Sequence, residues 1–251
     1  MKNNFKRALV TGCAGFIGSN LVESLLDKNY IITGVDNFRT GKKKFIAKNL
    51  VKKNFKFIKI DLLNKNDLGR LFKQKFDIVF HFAANADVRK GHLNPLNDLK
   101  YNTIMTSKLL EECRKSKIKR FVFCSTGSIY GETRVIPTPE NVNFPIQTSM
   151  YGASKLACEG LIQAYSEAYG LKSYIYRFVS ILGPNYSHGH VIDFYKKLYK
   201  NKNILKVLGD GNQRKSYLHV NDCINAILLT IKKSKKKINI FNLGTNETIT
   251  V

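Results

Sequence analysis

Short apolar runs alternate along the chain with longer stretches in which apolar residues recur every third or fourth position. The runs at Ala8 to Thr11, Ile31 to Asp36, Phe55 to Ile60, Ile78 to Phe82, Phe121 to Ser125 and Tyr174 to Phe178 have the length and content of strands. Phe16 to Lys28, Asn102 to Ser116 and Ser154 to Tyr169 carry helical spacing. Near-continuous apolar strands separated by helices describe a parallel sheet covered on both faces, an α/β doubly wound fold. After Gly183 the pattern loosens into helices at Val191 to Lys200 and Asn221 to Lys232 and a strand at Ile238 to Asn242. This predicts a main domain over residues 1–180 and a small C-terminal substrate-binding lobe over 181–251, with 220–245 able to return to the first.

Composition narrows the class. The 251 residues are 43% hydrophobic, enough for a substantial core and too apolar for a disordered chain. No stretch approaches the ~20 apolar residues of a membrane-spanning helix. The basic start, Met1 to Val10, runs directly into the first strand and leaves no room for a signal peptide, so a cytoplasmic protein is expected. Cys13, Cys113, Cys124, Cys158 and Cys223 form no Cys-x-x-Cys pair and read as reduced core thiols.

The formal net charge of +24 raises the question of nucleic acid. Its distribution answers against it. Lysines make up 33 of the 42 cations and are strewn over nearly every segment, with no aromatic-plus-arginine platform beside them. Lys42 to Lys44 and the run from Lys232 to Lys237 read as solvated loop faces.

The first strand leads through Thr11-Gly12-Cys13-Ala14-Gly15-Phe16-Ile17-Gly18 straight into a helix. Gly12 permits a tight turn, Gly15 lets the backbone approach a pyrophosphate, and Gly18 permits close packing of helix on strand. A helix N-terminus there offers unpaired N–H groups and partial positive charge to phosphates. Asp36 ends the second strand, where its carboxylate can accept from both hydroxyls of an adenosine ribose and would repel a 2′-phosphate. That favours NAD, while nearby Arg39 leaves NADP open. Asp61, after the third strand, lies where it can reach an adenine amino group.

Tyr151-Gly152-Ala153-Ser154-Lys155 places a phenol and an ammonium four residues apart on one helix face. A neighbouring cation favours the phenolate, and bringing a phenol from ~10 to near 7 takes ~4 kcal/mol. The strand Phe121 to Thr126 ends in hydroxyls at the same edge of the sheet as the glycine turn.

Taken with Val35-Asp36-Asn37, His81-Phe82-Ala83-Ala84, Asn102, Ser125-Thr126-Gly127-Ser128-Ile129-Tyr130-Gly131, Arg177-Phe178 and Gly209-Asp210-Gly211-Asn212-Gln213-Arg214, these motifs resemble the extended short-chain dehydrogenase/reductase superfamily. Within it the chain is similar to the NAD-dependent nucleotide-sugar epimerase/dehydratase branch, UDP-glucose 4-epimerase-like and built on a Rossmann-type sheet. The resemblance implies that Phe16 and Ile17 meet the pyrophosphate, Asp36 and Asn37 the adenosine ribose and the adenine side, and Asp61 and Leu62 the adenine pocket. It places Phe82, Ala83 and Ala84 along the cofactor's middle and counts Asn102, Cys124 and Phe178 among the cofactor contacts. Tyr151 matches the general base, Lys155 the residue that holds the nicotinamide ribose and tunes the phenol, and Thr126 the hydroxyl that bonds the reacting sugar oxygen, with Ser125 its next-door alternative.

Family dehydratases carry an Asp-Glu pair after the catalytic Thr, and uridine-sugar decarboxylases a Glu at the second place; here stand Gly127 and Ser128. Without a carboxylate for chemistry on neighbouring carbons, the resemblance implies epimerisation, at C4 of a UDP-hexose, by transient hydride transfer to a tightly bound NAD. The alternatives are a dehydratase, decarboxylase or reductase on the same scaffold, or a NAD-binding protein without turnover. Ser180 stands where many 4-epimerases have Asn, and Lys215 where relatives have Arg, with Arg214 beside it to face the diphosphate. His188 and His190 lack a carboxylate or cysteine partner and read as loop or uridine-pocket residues, with no metal implied. His81 reads as a core histidine, and Gly131 to Gln147 as a long loop over the site. Related chains run some tens of residues beyond Asn242-Leu243-Gly244, so the lobe is expected to be incomplete. Relatives pair through the helices that match Asn102 to Ser116 and Ser154 to Tyr169, which implies a homodimer.

Overall fold

A computed structural model describes residues 7–143, 146–207 and 210–250, without the side chains of Arg89 and Lys90. The first six residues, Pro145, Gly209 of the Gly209–Arg214 motif and Val251 lie outside the described residues.

Strands β1 (Arg7–Thr11), β2 (Ile31–Asp36), β3 (Phe55–Lys59), β4 (Ile78–His81), β5 (Arg120–Thr126) and β6 (Lys172–Phe178) stand close to the expected runs. Two short strands, β7 (Ser180–Leu182) and β9 (Tyr217–His219), pair with each other, and β8 (Arg214–Lys215) pairs with β11 (Ile249–Thr250). The seventh strand of the main sheet is β10 (Ile238–Leu243), parallel to β6. The order β10-β6-β5-β4-β1-β2-β3 is parallel throughout and reverses direction at β1, between β4 and β2. In such sheets ligands bind beyond the carboxyl ends of the strands at that switch point.

Both faces of the sheet are buried, which explains the nearly unbroken apolar strands. On one face α1 (Phe16–Asp27) and α8 (Val220–Lys233) pack in a cluster with Val10, Phe80, Val122, Tyr174 and Tyr176. On the other, α2 (Lys65–Leu71), α5 (Met105–Lys115) and α6 (Met150–Tyr169) pack on Leu9, Val79, Phe121, Phe123 and Ile175. Two short helices, α3 (Val88–Leu93) and α4 (Pro95–Asp98), precede α5, and α7 (His190–Lys200) follows β7.

Two element boundaries differ from the periodicity. The α6 helix begins at Met150 instead of Ser154, because Ser149 caps it by accepting from the Gly152 N–H at 3.0 Å. The residues from Leu99 to Ile104 form a π turn, so α5 begins only at Met105 and Asn102 lies inside the wider turn. Such turns recur at functional sites.

Candidate active site at the switch point

β1 delivers the chain to Gly12, whose φ of +68° is costly for any residue with a Cβ. A Cβ at Gly12 would also lie 2.7 Å from the Ala83 backbone nitrogen, so the turn is pressed against the end of β4. At Gly18 a Cβ would stand 2.1 Å from the Gly12 carbonyl oxygen, which fixes how closely α1 sits on the turn. Gly15 starts α1 with no side-chain cap, and no acidic residue stands in the first turn. The leading N–H groups of α1 and the positive end of its dipole are therefore free to receive an anion.

Two connected chambers open on this turn. The first is lined by Gly12, Gly15, Asp36, Asn37, Asp61, Leu62 and Phe82 to Asn85, among others. Asp36 accepts from the N–H groups of Ala14 (3.1 Å) and Phe38 (2.8 Å), which aims its carboxylate back toward the glycine turn. Burial raises its carboxyl above the ordinary aspartate value, and the N–H groups of Phe38 and Ala14 oppose that shift. Asp61 accepts from Leu63 N–H at 2.9 Å.

The second chamber shares Gly12, Gly15, Thr40, Phe82 and Ala84 with the first. It brings together Phe16, Ile17, Gly18, Cys124, Ser125, Thr126, Tyr151, Lys155, Phe178, Ser180, His188 and His190. Tyr151 stands in the first turn of α6, and Lys155 one turn later donates to the Cys124 carbonyl at 2.8 Å. The Lys155 ammonium lies 4.6 Å from the Phe123 ring centroid and 6.0 Å from that of Tyr151. Burial pushes the Tyr151 phenol above its ordinary range, while a hydrogen bond with Thr126 pulls the other way. The expected lowering is thus not what the protein alone produces: desolvation of the phenolate dominates, and the contact that opposes it is the Thr126 hydroxyl.

Several expected contacts fall elsewhere. Asn102 does not line either chamber: it is buried, its Oδ1 accepts from Asn85 N–H at 2.8 Å, and its amide donates to Ser154 Oγ at 2.9 Å. The π turn thereby braces the end of β4 against α6. Ser125 commits its hydroxyl to the buried carboxylate of Glu159 at 2.5 Å, which leaves Thr126 as the hydroxyl beside Tyr151. Arg214 and Lys215 lie on β8 and line neither chamber. Lys215 still acts at a distance: desolvation first, and its charge second, hold His190 below the usual imidazole range. His190 Nε2 is hydrogen-bonded to the Tyr217 hydroxyl at 2.6 Å.

The loop from Gly131 contributes no described residue to either chamber. It is tied down beside the site instead. Arg177 donates to the Glu140 carbonyl (2.8 Å) and the Tyr130 hydroxyl (2.7 Å) while pairing with Glu159 (2.8 Å). Asn242 at the end of β10 accepts from Tyr130 and donates to the Thr138 carbonyl. The sequence carried two signals for this cluster: Glu159 continues the face of Tyr151 and Lys155 by another turn, and Arg177 interrupts an apolar strand.

With this geometry the comparisons with known proteins agree. Residues 8–244 match the NAD dependent epimerase/dehydratase family. The chain belongs to that family. A putative UDP-glucose 4-epimerase of Methanocaldococcus jannaschii is 34% identical over 249 residues, covering 97% of this chain and 78% of the relative. The crystal structure of a UDP-glucuronic acid 4-epimerase from Bacillus cereus, in complex with UDP-glucuronic acid and NAD, superposes with a TM-score of 0.86. It is 32% identical and covers 97% of this chain and 79% of its own. The human dTDP-D-glucose 4,6-dehydratase is 32% identical over 246 residues, covering 96% of this chain and 69% of that protein. Epimerases and dehydratases therefore share this scaffold, and the chemistry has to be read from the site.

Proposed function

We propose that the protein is a NAD-dependent nucleotide-sugar epimerase acting at C4 of a UDP-linked hexose. One observation carries the choice between reactions: among the described residues lining the second chamber there is no Asp or Glu. Elimination of water or loss of CO₂ from a neighbouring carbon needs an acid or base placed on that carbon, and Thr126 is followed here by Gly127 and Ser128. Reversible oxidation at a single carbon needs only a group that takes and returns one proton.

The residues fit a dinucleotide. The uncapped start of α1 receives the pyrophosphate through the N–H groups near Phe16 and Ile17, with no Cβ at Gly15 in the way. Asp36 and Asn37 would hold the adenosine ribose, Asp61 and Leu62 the adenine, Phe82 to Ala84 the middle, and Lys155 the nicotinamide ribose. When bound, the nicotinamide supplies a reversible hydride acceptor and a positive charge beside the phenol. Tyr151 then exchanges a proton with the sugar C4 hydroxyl while Thr126 orients that hydroxyl. Ser180, His188 and His190 form the far wall against the sugar nucleotide.

In this reading α8 and β10 belong to the dinucleotide-binding unit, and residues 181–219 with 244–250 form the sugar lobe. Two copies pair through α5 and α6, a reading supported by the exposed apolar residues Leu99, Ile104 and Met150 where those helices begin.

The experiment is to assay the purified protein against a panel of uridine-diphosphosugars. Interconversion without net NADH, water or CO₂ is expected. Tyr151→Phe retains NAD but lowers turnover by at least about 100-fold, the scale of lost general acid–base catalysis. Undiminished turnover by that variant removes Tyr151 from its role.

A further inference from the structure

Arg39 and Tyr101 both line the first chamber and have no part in the reading above. Arg39 follows β2, and Tyr101 belongs to the π turn on the crossover between β4 and β5. In the sheet β2 and β4 flank β1, so these two residues come from opposite sides of the switch point. They meet across it. The Arg39 guanidinium carbon lies 3.6 Å from the centroid of the Tyr101 ring, and Nη2 donates to Asn97 Oδ1 at 3.3 Å.

The backbone on the Arg39 side is held: Arg39 N–H donates to Asn37 Oδ1 at 2.9 Å, and Lys42 N–H to the Ala14 carbonyl at 2.8 Å. The guanidinium is carried across the chamber at the end of an exposed side chain with several rotatable bonds. Its flat face is covered by an aromatic ring and one of its N–H groups by a neutral amide, an arrangement suited to cation–π stacking. A guanidinium reserved for a 2′-phosphate would instead present its fork toward the ribose, where Asp36 already stands with a charge that repels phosphate.

We propose that Arg39 and Tyr101 form a clasp across the adenosine chamber that slows release of NAD, and that Arg39 is not a 2′-phosphate receptor. The clasp rests on the NAD site described above. It suits the reaction, because a redox-neutral epimerisation restores the dinucleotide at every turnover and gains nothing from letting it leave. Contacts that close over a bound ligand act mainly on its dissociation rate.

The test uses the full-length protein loaded with radiolabelled NAD and chased with excess unlabelled NAD. Arg39→Ala and Tyr101→Ala should each speed release about three- to fivefold, the scale of one exposed cation–π contact. The double variant should release no faster than the faster single one, because both remove the same contact. Tyr101→Phe, which keeps the ring face, should match the wild type. Equal thermal midpoints of the NAD-free proteins separate loss of the clasp from loss of the fold. Wild-type release rates in both alanine variants overturn the proposal, as do additive effects in the double variant or fast release by Tyr101→Phe. NADP binding that the wild type has and Arg39→Ala loses overturns it too, by making Arg39 a phosphate receptor. A wild type that binds no NAD at all overturns the cofactor reading itself, and the clasp with it.

Discussion

Two adjacent hydroxyls at the end of β5 show how much one side-chain direction decides. Successive residues of a strand point to opposite faces, so Ser125 and Thr126 cannot both serve Tyr151. Thr126 bonds the phenol, whereas Ser125 donates to Glu159, which also pairs with Arg177. Thr126→Ala should therefore lower turnover by about 100-fold. Ser125→Ala should instead appear in stability, at about 1–3 kcal/mol, because a buried carboxylate loses a donor. Steady-state kinetics and thermal melts on the pair decide it; a larger kinetic loss in Ser125→Ala would reverse the assignment. The sequence placed both hydroxyls at this strand end but left them as alternatives, since the twist and register that choose between them arise only when β5 pairs with β4 and β6.

Among the helices, the same glycine substitution has opposite signs. Gly160 lies in the exposed middle of α6, and a Cβ there would meet nothing within 4 Å. Gly160→Ala should stabilise by about 0.5–1 kcal/mol, through the lower backbone entropy of the unfolded chain. Gly18 lies in α1, where a Cβ would stand 2.1 Å from the Gly12 carbonyl oxygen. Gly18→Ala should destabilise by about 3 kcal/mol and weaken NAD binding as well, because the helix must lift off the turn that shapes the site. Chemical denaturation of both variants tests this; equal shifts would mean that α1 is not held by the contact. Periodicity located both helices, and the glycine motif singled out Gly18 correctly as a packing position. The π turn at Leu99–Ile104 had no such signature. Its wider hydrogen bonding follows from Asn102 reaching both Asn85 and Ser154, a demand made by two other segments of the chain.

For the molecule as a whole, the crossover at β1 places a buried imidazole at the centre of the fold. His81 Nδ1 is hydrogen-bonded to Thr11 at 2.8 Å and Nε2 to Thr106 at 3.0 Å, joining β1, β4 and α5. Burial, and then the charge of Lys155, hold its pKa down at about 3, against 6.5 when the ring is exposed. Below pH 6.5 the unfolded chain takes up a proton that the folded one refuses. His81 therefore favours the fold fully above pH 6.5, and that contribution is lost as the pH falls toward 3. Thermal midpoints should drop between pH 7 and pH 4, with a slope approaching about 1.4 kcal/mol per pH unit from this residue. A His81→Gln variant should show a shallower dependence even if it is less stable at neutral pH. An unchanged slope in that variant would assign the acid loss to other groups. No helix among the described residues is long and apolar enough to cross a membrane.

The sequence by itself determined the parallel sheet, the glycine turn, the acidic end of β2 and the phenol–ammonium pair on α6. Each of these is local: apolar runs, glycine spacing and an i, i+4 step are dictated within a few residues of chain. Only the tertiary structure decided what happens between segments. It turned Ser125 onto Glu159, brought Arg39 against Tyr101, drew Asn102 behind the crevice as a brace, and left the Gly131 loop bound to Arg177 beside the chambers. Those partners lie tens of residues apart in the chain, and a hydrogen bond or stacked ring at that distance exists only once the sheet has fixed where both ends stand.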